Sequence, residues 1–175
     1  MLNNVPKDLF YCYLAGTMLG GEAKKQTVDW RYKIRKHYEN WKDKGRYEII
    51  FLDPWNGEID SVIDAEGITN ERVQANAIFH GDKMAIKKAD LIIANLNQFN
   101  SPRISIGTFC EIGIALALNK PVVLITDKNL YARYSKHPFT SQAVAIYKSI
   151  EEFLDSKIIN WFYKRVNSAI YEWEL

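Results

Sequence analysis

Asp90-Leu-Ile-Ile-Ala-Asn-Leu96 and Pro121-Val-Val-Leu-Ile-Thr126 are short apolar runs, and between them lies Ser105-Ile-Gly-Thr-Phe-Cys-Glu-Ile-Gly113. Runs of this length, without alternating polar residues, read as strands buried on both faces. The segment between them reads as a helix running to about Leu118 and stopped by Asn119-Lys120-Pro121. Strand, helix and strand in that order make a crossover unit with parallel strands. The same alternation continues outward. Leu9-Phe-Tyr-Cys-Tyr-Leu-Ala15, closed by Gly16, is a further buried strand. Residues 28–44 carry Trp30, Ile34, Tyr38 and Trp41 at helical spacing, with basic residues between them. A strand over 47–52 ends in Asp53-Pro54, and a helix follows over 70–88, weakened by Gly81. A short strand is expected at 143–146 and a helical tail over 149–173. The expectation is an α/β fold: a mainly parallel sheet of about five strands flanked by helices, with an extra C-terminal helix.

Composition sets the limits. The sequence has 175 residues, with 23 Lys+Arg against 21 Asp+Glu and a formal charge of +2. That length suits a single domain over residues 1–175. A near-neutral balance argues against a nucleic-acid polymer as partner, since such proteins carry a marked basic excess. No run approaches the roughly 20 apolar residues that span a bilayer, and the first residues lack the apolar stretch of a signal peptide. Cys12 and Cys110 lie far apart and read as reduced thiols of a cytoplasmic protein. His37, His80 and His137 stand in separate segments, so no metal site is expected. The aromatic share of 13% needs a core, a cleft or an interface to hold it.

In parallel sheets ligands sit beyond the carboxyl ends of the strands. That rule selects the turn from Gly16 to Gly21, Asp53, Asn95 and the loop leading to Ser105. It also draws attention to Glu111, read as lying in the first turn of its helix, and to Asp82 on the preceding helix. Glu111 admits two readings. In one, Thr108 caps the helix and Glu111 returns the hydrogen bond as a capping box. In the other, the carboxylate stays ionised beside helix-terminal N–H groups and serves as a nucleophile. Paired with Asp82, it would supply the two-carboxylate arrangement of glycosidic cleavage.

Tyr13-Leu-Ala-Gly16, Trp30-Arg31, Asp53-Pro54, Asp82 with Asp90 eight positions on, and Ala94-Asn95 occur in one order. With Ser105-x-Gly-Thr-x-x-Glu111-Ile-Gly113 and Lys120-Pro121-Val122, this set resembles the nucleoside 2-deoxyribosyltransferase family over about residues 9–126. The resemblance implies a Rossmann-like subunit that breaks the N-glycosidic bond between a base and a ribose or deoxyribose. It implies Glu111 as the nucleophile that forms a covalent glycosyl-enzyme. Asp82 would lie near sugar and base, and Tyr13 would orient the nucleophile. No metal or redox cofactor is implied. With the strand-end rule, the resemblance gives Gly16, Thr17, Gly20, Gly21, Asp53, Asn95, Ser105, Gly107 and Thr108 as candidate substrate-binding residues.

Two departures bear on the substrate. Ser105 stands where many transferases of the family have aspartate, and is similar in this to deoxynucleoside 5′-monophosphate N-glycosidases. Their Gly-Ser-x-Arg-Gly-Gly-like loop has the outline of Gly16-Thr-Met-Leu-Gly-Gly21, but Leu19 replaces the arginine. Lys24, Lys25 or Arg31 are the alternative phosphate ligands. The expected partner is therefore a nucleoside or nucleoside 5′-monophosphate. A hydrolase, an N-glycosidase acting on NAD-like dinucleotides and a non-catalytic nucleotide sensor are the other readings. The resemblance also implies a homodimer or higher assembly with a shared active site. Residues 137–142, through Thr140 or Ser141, and the aromatic tail from Trp161 to Trp173 are the candidate contributors. Trp30 and Cys110 read as packing residues and Asp90 as a structural cap.

Overall fold

The computed structural model describes residues 8–17, 24–39, 47–54, 71–97 and 105–171. Its strands are β1 (Asp8–Gly16), β2 (Tyr47–Leu52), β3 (Leu91–Asn95), β4 (Val122–Ile125) and β5 (Ala145–Tyr147). They form one sheet in the order β2-β1-β3-β4-β5. Every neighbouring pair is parallel. The helices are α1 (Lys24–Glu39), α2 (Glu71–Lys88), α3 (Ile106–Ala117), α4 (Lys128–Tyr134), α5 (Ile150–Ser156) and α6 (Ile158–Tyr171). The Rossmann-like α/β expectation is met.

The period-2 geometry of β1 divides the core in two. Phe10, Cys12 and Leu14 face Trp30, Ile34 and Tyr38 of α1, with Phe153, Ile159 and Tyr163 from α5 and α6. Tyr13 and Ala15 point to the opposite face, which holds Ile86, Ile112, Ala115 and Tyr134 of α2, α3 and α4. All residues of β3 and β4 are buried, as their unbroken apolar runs require. Fully burying a side chain such as Ile92, Ile93 or Leu124 contributes roughly 1.5–3 kcal/mol, so these two strands anchor the sheet.

Several boundaries differ from expectation for local reasons. Helix α1 begins at Lys24, ahead of the expected 28. Helix α4 was not legible as a helix; its signal is Asp127, whose Oδ1 accepts the N–H groups of Asn129 and Leu130 at 2.8 and 2.9 Å. The expected single tail helix is two, because Lys157 takes a left-handed conformation (φ 53°) and closes α5 before α6 begins. The tail aromatics also divide. Tyr163 is buried edge-on against Phe10 at 5.8 Å, whereas Trp161 is exposed. Trp41, Trp173 and loop 55–70 lie outside the described residues. Asp90 accepts the Tyr11 N–H at 2.9 Å, which ties the start of β3 to β1. Among the described residues no helix is long and apolar enough to cross a membrane.

This strand order places β2 on one side of β1 and β3 to β5 on the other. The direction of strand addition therefore reverses between β1 and β3, and their carboxyl ends meet with Gly16 opposite Asn95. A crevice is expected at this switch point.

Candidate active site

A cleft of about 370 Å³ opens there, within the range of small-molecule sites. Gly16 borders it from the end of β1. Asp82 of α2 and Ser105, Gly107, Thr108, Cys110 and Glu111 around α3 supply its polar side. Ala75, Ile78 and Phe79 of α2 with Ile114 of α3 supply an apolar wall.

At the base of the cleft stands Tyr13, fully buried on β1 and pointing toward α2 and α3. Its hydroxyl donates to Glu111 Oε1 at 2.5 Å. The Asp82 carboxyl also acts on this hydroxyl. One phenol thus responds to two carboxylates from two helices. Ser105 makes this placement possible. It is the N-cap of α3, with its Oγ accepting from the Thr108 N–H and lying 2.8 Å from Thr108 Oγ1.

The capping box is thereby corrected. Ser105, not Thr108, caps the helix, so Glu111 falls in the second turn and the first turn holds no acidic residue. The orphan N–H groups and the dipole field of the helix end are largely behind it. Glu111 owes its electrostatics to other neighbours. Burial pushes its carboxyl up to about 7, the Tyr13 hydrogen bond opposes that, Asp82 adds to it, and Arg31 pulls it back. Burial also raises Asp82, against the pull of Tyr13. Tyr13 itself is driven far above the usual tyrosine range by burial, then by the charges of Glu111 and Asp82. The phenol therefore stays a proton donor at any working pH. Both carboxyl groups are shifted toward the neutral form, Glu111 to about 7, an arrangement suited to nucleophilic and acid–base work.

The model of the family described as nucleoside 2-deoxyribosyltransferase matches residues 12–153. The chain belongs to that family. Among solved structures it is similar to the 2-deoxyribosyltransferase of Bacillus psychrosaccharolyticus, at 19% identity and a TM-score of 0.56, covering 82% of this chain and 90% of that one. It is also similar to the CMP N-glycosidase of Clostridium botulinum, at 22% identity and a TM-score of 0.50, covering 86% of this chain and 98% of that one. At these identities the likeness shows the shared fold. A comparison with curated proteins finds no match.

Of the residues singled out from the sequence, Tyr13, Gly16, Asp82, Ser105, Gly107, Thr108 and Glu111 come together at this cleft. Gly16 is required by its neighbour: a Cβ there would lie 2.7 Å from Trp30 Cζ2. Thr17 is buried just past β1, while Gly20 and Gly21 lie outside the described residues.

Other candidates are placed differently. The Asp53 carboxylate, expected to bind substrate, is only 4% exposed and is paired with Arg31 and Arg35. It anchors arginines and does not line the cleft. Arg31, an alternative phosphate ligand, is committed there and to the Gly16 carbonyl. Asn95 is fully buried and its Oδ1 accepts the Asn97 N–H at 2.9 Å, the bond of a turn-forming asparagine. Thr140 is buried and donates to the Tyr134 carbonyl, so its hydroxyl is used within the chain; Ser141 is exposed. Trp30 is core, as its spacing indicates. Cys110, expected to be a packing residue, is exposed at the cleft, because it precedes Glu111 and so sits on another side of the helix.

Sequence reading missed the apolar wall and the role of Arg31. Ala75, Ile78 and Phe79 occupy positions i−7, i−4 and i−3 relative to Asp82. That spacing puts them on its side of α2, a signal that was available.

Proposed function

We propose that the protein cleaves the N-glycosidic bond of nucleosides or nucleoside 5′-monophosphates by a retaining double displacement through Glu111. The observation that carries this is the Tyr13 hydroxyl bonded to Glu111, which lines one cleft together with Asp82. A Glu111 carboxylate oxygen attacks the anomeric carbon, and the bond to the base nitrogen breaks with its electron pair leaving on the base. Asp82, whose carboxyl burial pushes up toward the neutral form, delivers a proton to the departing base. A second base or water then attacks the same carbon, giving its proton to Asp82, and the Glu111 ester breaks, which restores both carboxyl groups and retains configuration. Tyr13 fixes the attacking oxygen. The apolar wall of Ala75, Ile78, Phe79 and Ile114 takes the flat face of the base.

The acceptor decides between transferase and hydrolase. We lean to the transferase and keep the 5′-monophosphate N-glycosidase as second reading. Ser105 favours the latter, since it lines the cleft at the start of α3, where a phosphate is well received. A homodimer or higher assembly completing the site belongs to the same proposal, with Phe79, Ile106 and Trp161 as exposed apolar side chains for it. A monomeric mass at micromolar concentration contradicts that part.

The test is incubation with deoxynucleosides, ribonucleosides and their 5′-monophosphates, with and without free adenine or cytosine. Base exchange identifies a transferase, and free sugar or sugar phosphate a hydrolase. Saturable binding without turnover contradicts the proposal and favours a sensor.

A further inference from the structure

A second hollow, of about 510 Å³, lies beyond the carboxyl end of β4, between α1 and the starts of α4 and α5. That is roomy enough for a small metabolite. It shares no lining residue with the cleft that holds Glu111. Ile125 and Ile150 give it an apolar part. Three ammonium groups stand around it: Lys33 of α1, Lys128 of α4 and Lys148 just after β5. Two carboxylates, Asp127 and Glu151, stand there too.

Both carboxylates already have partners. Asp127 Oδ1 accepts the N–H groups of Asn129 and Leu130, and Glu151 is paired with Lys33 at 3.5 Å. The side chains of that pair are more than half exposed, so water competes for it and a ligand anion can take Lys33 over at little cost. Lys128 and Lys148 have no ion pair among the described residues. The Lys148 ammonium stands 4.7 Å from the centre of the Tyr131 ring, which limits how far this long side chain wanders. A buried group points the same way. Thr126, at the end of β4, lines the hollow and is 1% exposed, yet its hydroxyl has no hydrogen-bond partner among the described residues. Its backbone is fixed, with the N–H donating to the Tyr147 carbonyl at 2.9 Å. Buried hydroxyls in folded proteins nearly always find a partner, so one left unmet beside a cavity marks a place for a ligand oxygen.

We propose that this hollow is a phosphate-binding site, separate from the catalytic cleft. Lys128 and Lys148 supply the charge, Lys33 joins them on leaving Glu151, and the Thr126 hydroxyl donates to a phosphate oxygen. Ammonium groups act as point charges and suit a phosphate approached from several directions. A neutral or cationic ligand would leave Lys128 and Lys148 without a counter-charge. Ile125 and Ile150 receive the uncharged part of a phosphate ester. A sugar phosphate, a nucleotide and free phosphate share this chemistry. The site stands whether or not Glu111 is a nucleophile, because no residue is common to the two.

The experiment titrates the whole 15N-labelled protein, at constant ionic strength, with inorganic phosphate, ribose 5-phosphate and adenosine 5′-monophosphate, and follows the backbone amides. Saturable shifts at Thr126, Asn129 and Ser149 are expected. Tighter binding of either ester than of inorganic phosphate identifies a phosphorylated metabolite as the ligand, and equal affinities identify phosphate itself. Replacing both cations, Lys128→Gln with Lys148→Gln, weakens binding about 10- to 100-fold. Thr126→Val weakens it severalfold. Because its hydroxyl has no partner to lose, the same variant keeps Tm without ligand unchanged or higher. Shifts that do not saturate at these three amides, shifts confined to Gly16, Ser105 and Gly107 of the cleft, or full affinity in the lysine variant overturn the inference. A Tm of Thr126→Val lower by several degrees reveals an internal partner for the hydroxyl and overturns it as well.

Discussion

The Tyr13 hydroxyl on β1 lies 2.5 Å from Glu111 Oε1 on α3, joining residues 98 apart in sequence. Tyr13 is fully buried and cannot ionise in the working range, so the bond always runs from phenol to carboxyl. Such a bond favours the charged acceptor. In Tyr13→Phe, Glu111 loses that support and its midpoint rises above about 7. The ascending limb of kcat against pH then moves to higher pH by about one unit, and kcat at pH 7 falls roughly 10- to 100-fold. An unaltered pH profile contradicts the assignment of Tyr13.

Glu111 also leaves a mark on stability. Its folded value, about 7, lies above the ordinary 4.5. Folding therefore favours the protonated form, and the contribution present at low pH is lost as pH rises through the window from about 4.5 to about 7. The difference amounts to at most about 3 kcal/mol. Glu111→Gln, which stays neutral, is expected to raise Tm by several degrees at pH 8 while abolishing turnover, and to change Tm little at pH 4.5. Thermal scans at both pH values check this. Equal Tm for the two proteins at pH 8 contradicts the placement of a strained carboxylate in the cleft.

Gly16→Ala would set a Cβ 2.7 Å from Trp30 Cζ2 and 3.4 Å from the Asn95 carbonyl. The indole is buried and cannot withdraw without disturbing Arg31. Overpacking of this kind costs about 1–3 kcal/mol. Equilibrium denaturation is expected to show that loss, together with a raised KM because Gly16 borders the cleft.

Ser105→Ala removes the cap of α3. Loss of a capping side chain costs about 1 kcal/mol, or about 2–4 °C in Tm for a chain of this size. The same substitution raises KM for a nucleoside 5′-monophosphate more than for the nucleoside if the Ser105 hydroxyl meets the phosphate. Comparing the two KM ratios separates cap from ligand contact.

The sheet was legible because its central strands are continuous apolar runs with no competing helical spacing. Lys157 is different: nothing about a lysine announces a left-handed turn, so the break in the tail had no sequence signal. Around Glu111 the sequence was read with Thr108 as the cap, but Ser105, three residues earlier, takes that place. Only the backbone decides which is used, and that choice determines whether Glu111 lies in the first turn or the second. Asp53 was found by the strand-end rule but its role was not, because the two arginines that hold it come from a helix in another layer. Arg31 follows Trp30, whose burial was foreseen. A charged residue beside a core position is ordinarily solvated, and here the Gly16 carbonyl and Asp53 take its charge.

The central claim is that Glu111 becomes covalently glycosylated. Rapid acid quench of the enzyme turning over its best nucleoside or nucleotide substrate, followed by peptide mass spectrometry, tests it most directly. The account predicts a glycosyl adduct on the peptide containing Glu111, formed before the acceptor is added, discharged by it, and absent in Glu111→Gln. Turnover with no adduct, and with Glu111→Gln as active as the wild type, would contradict it.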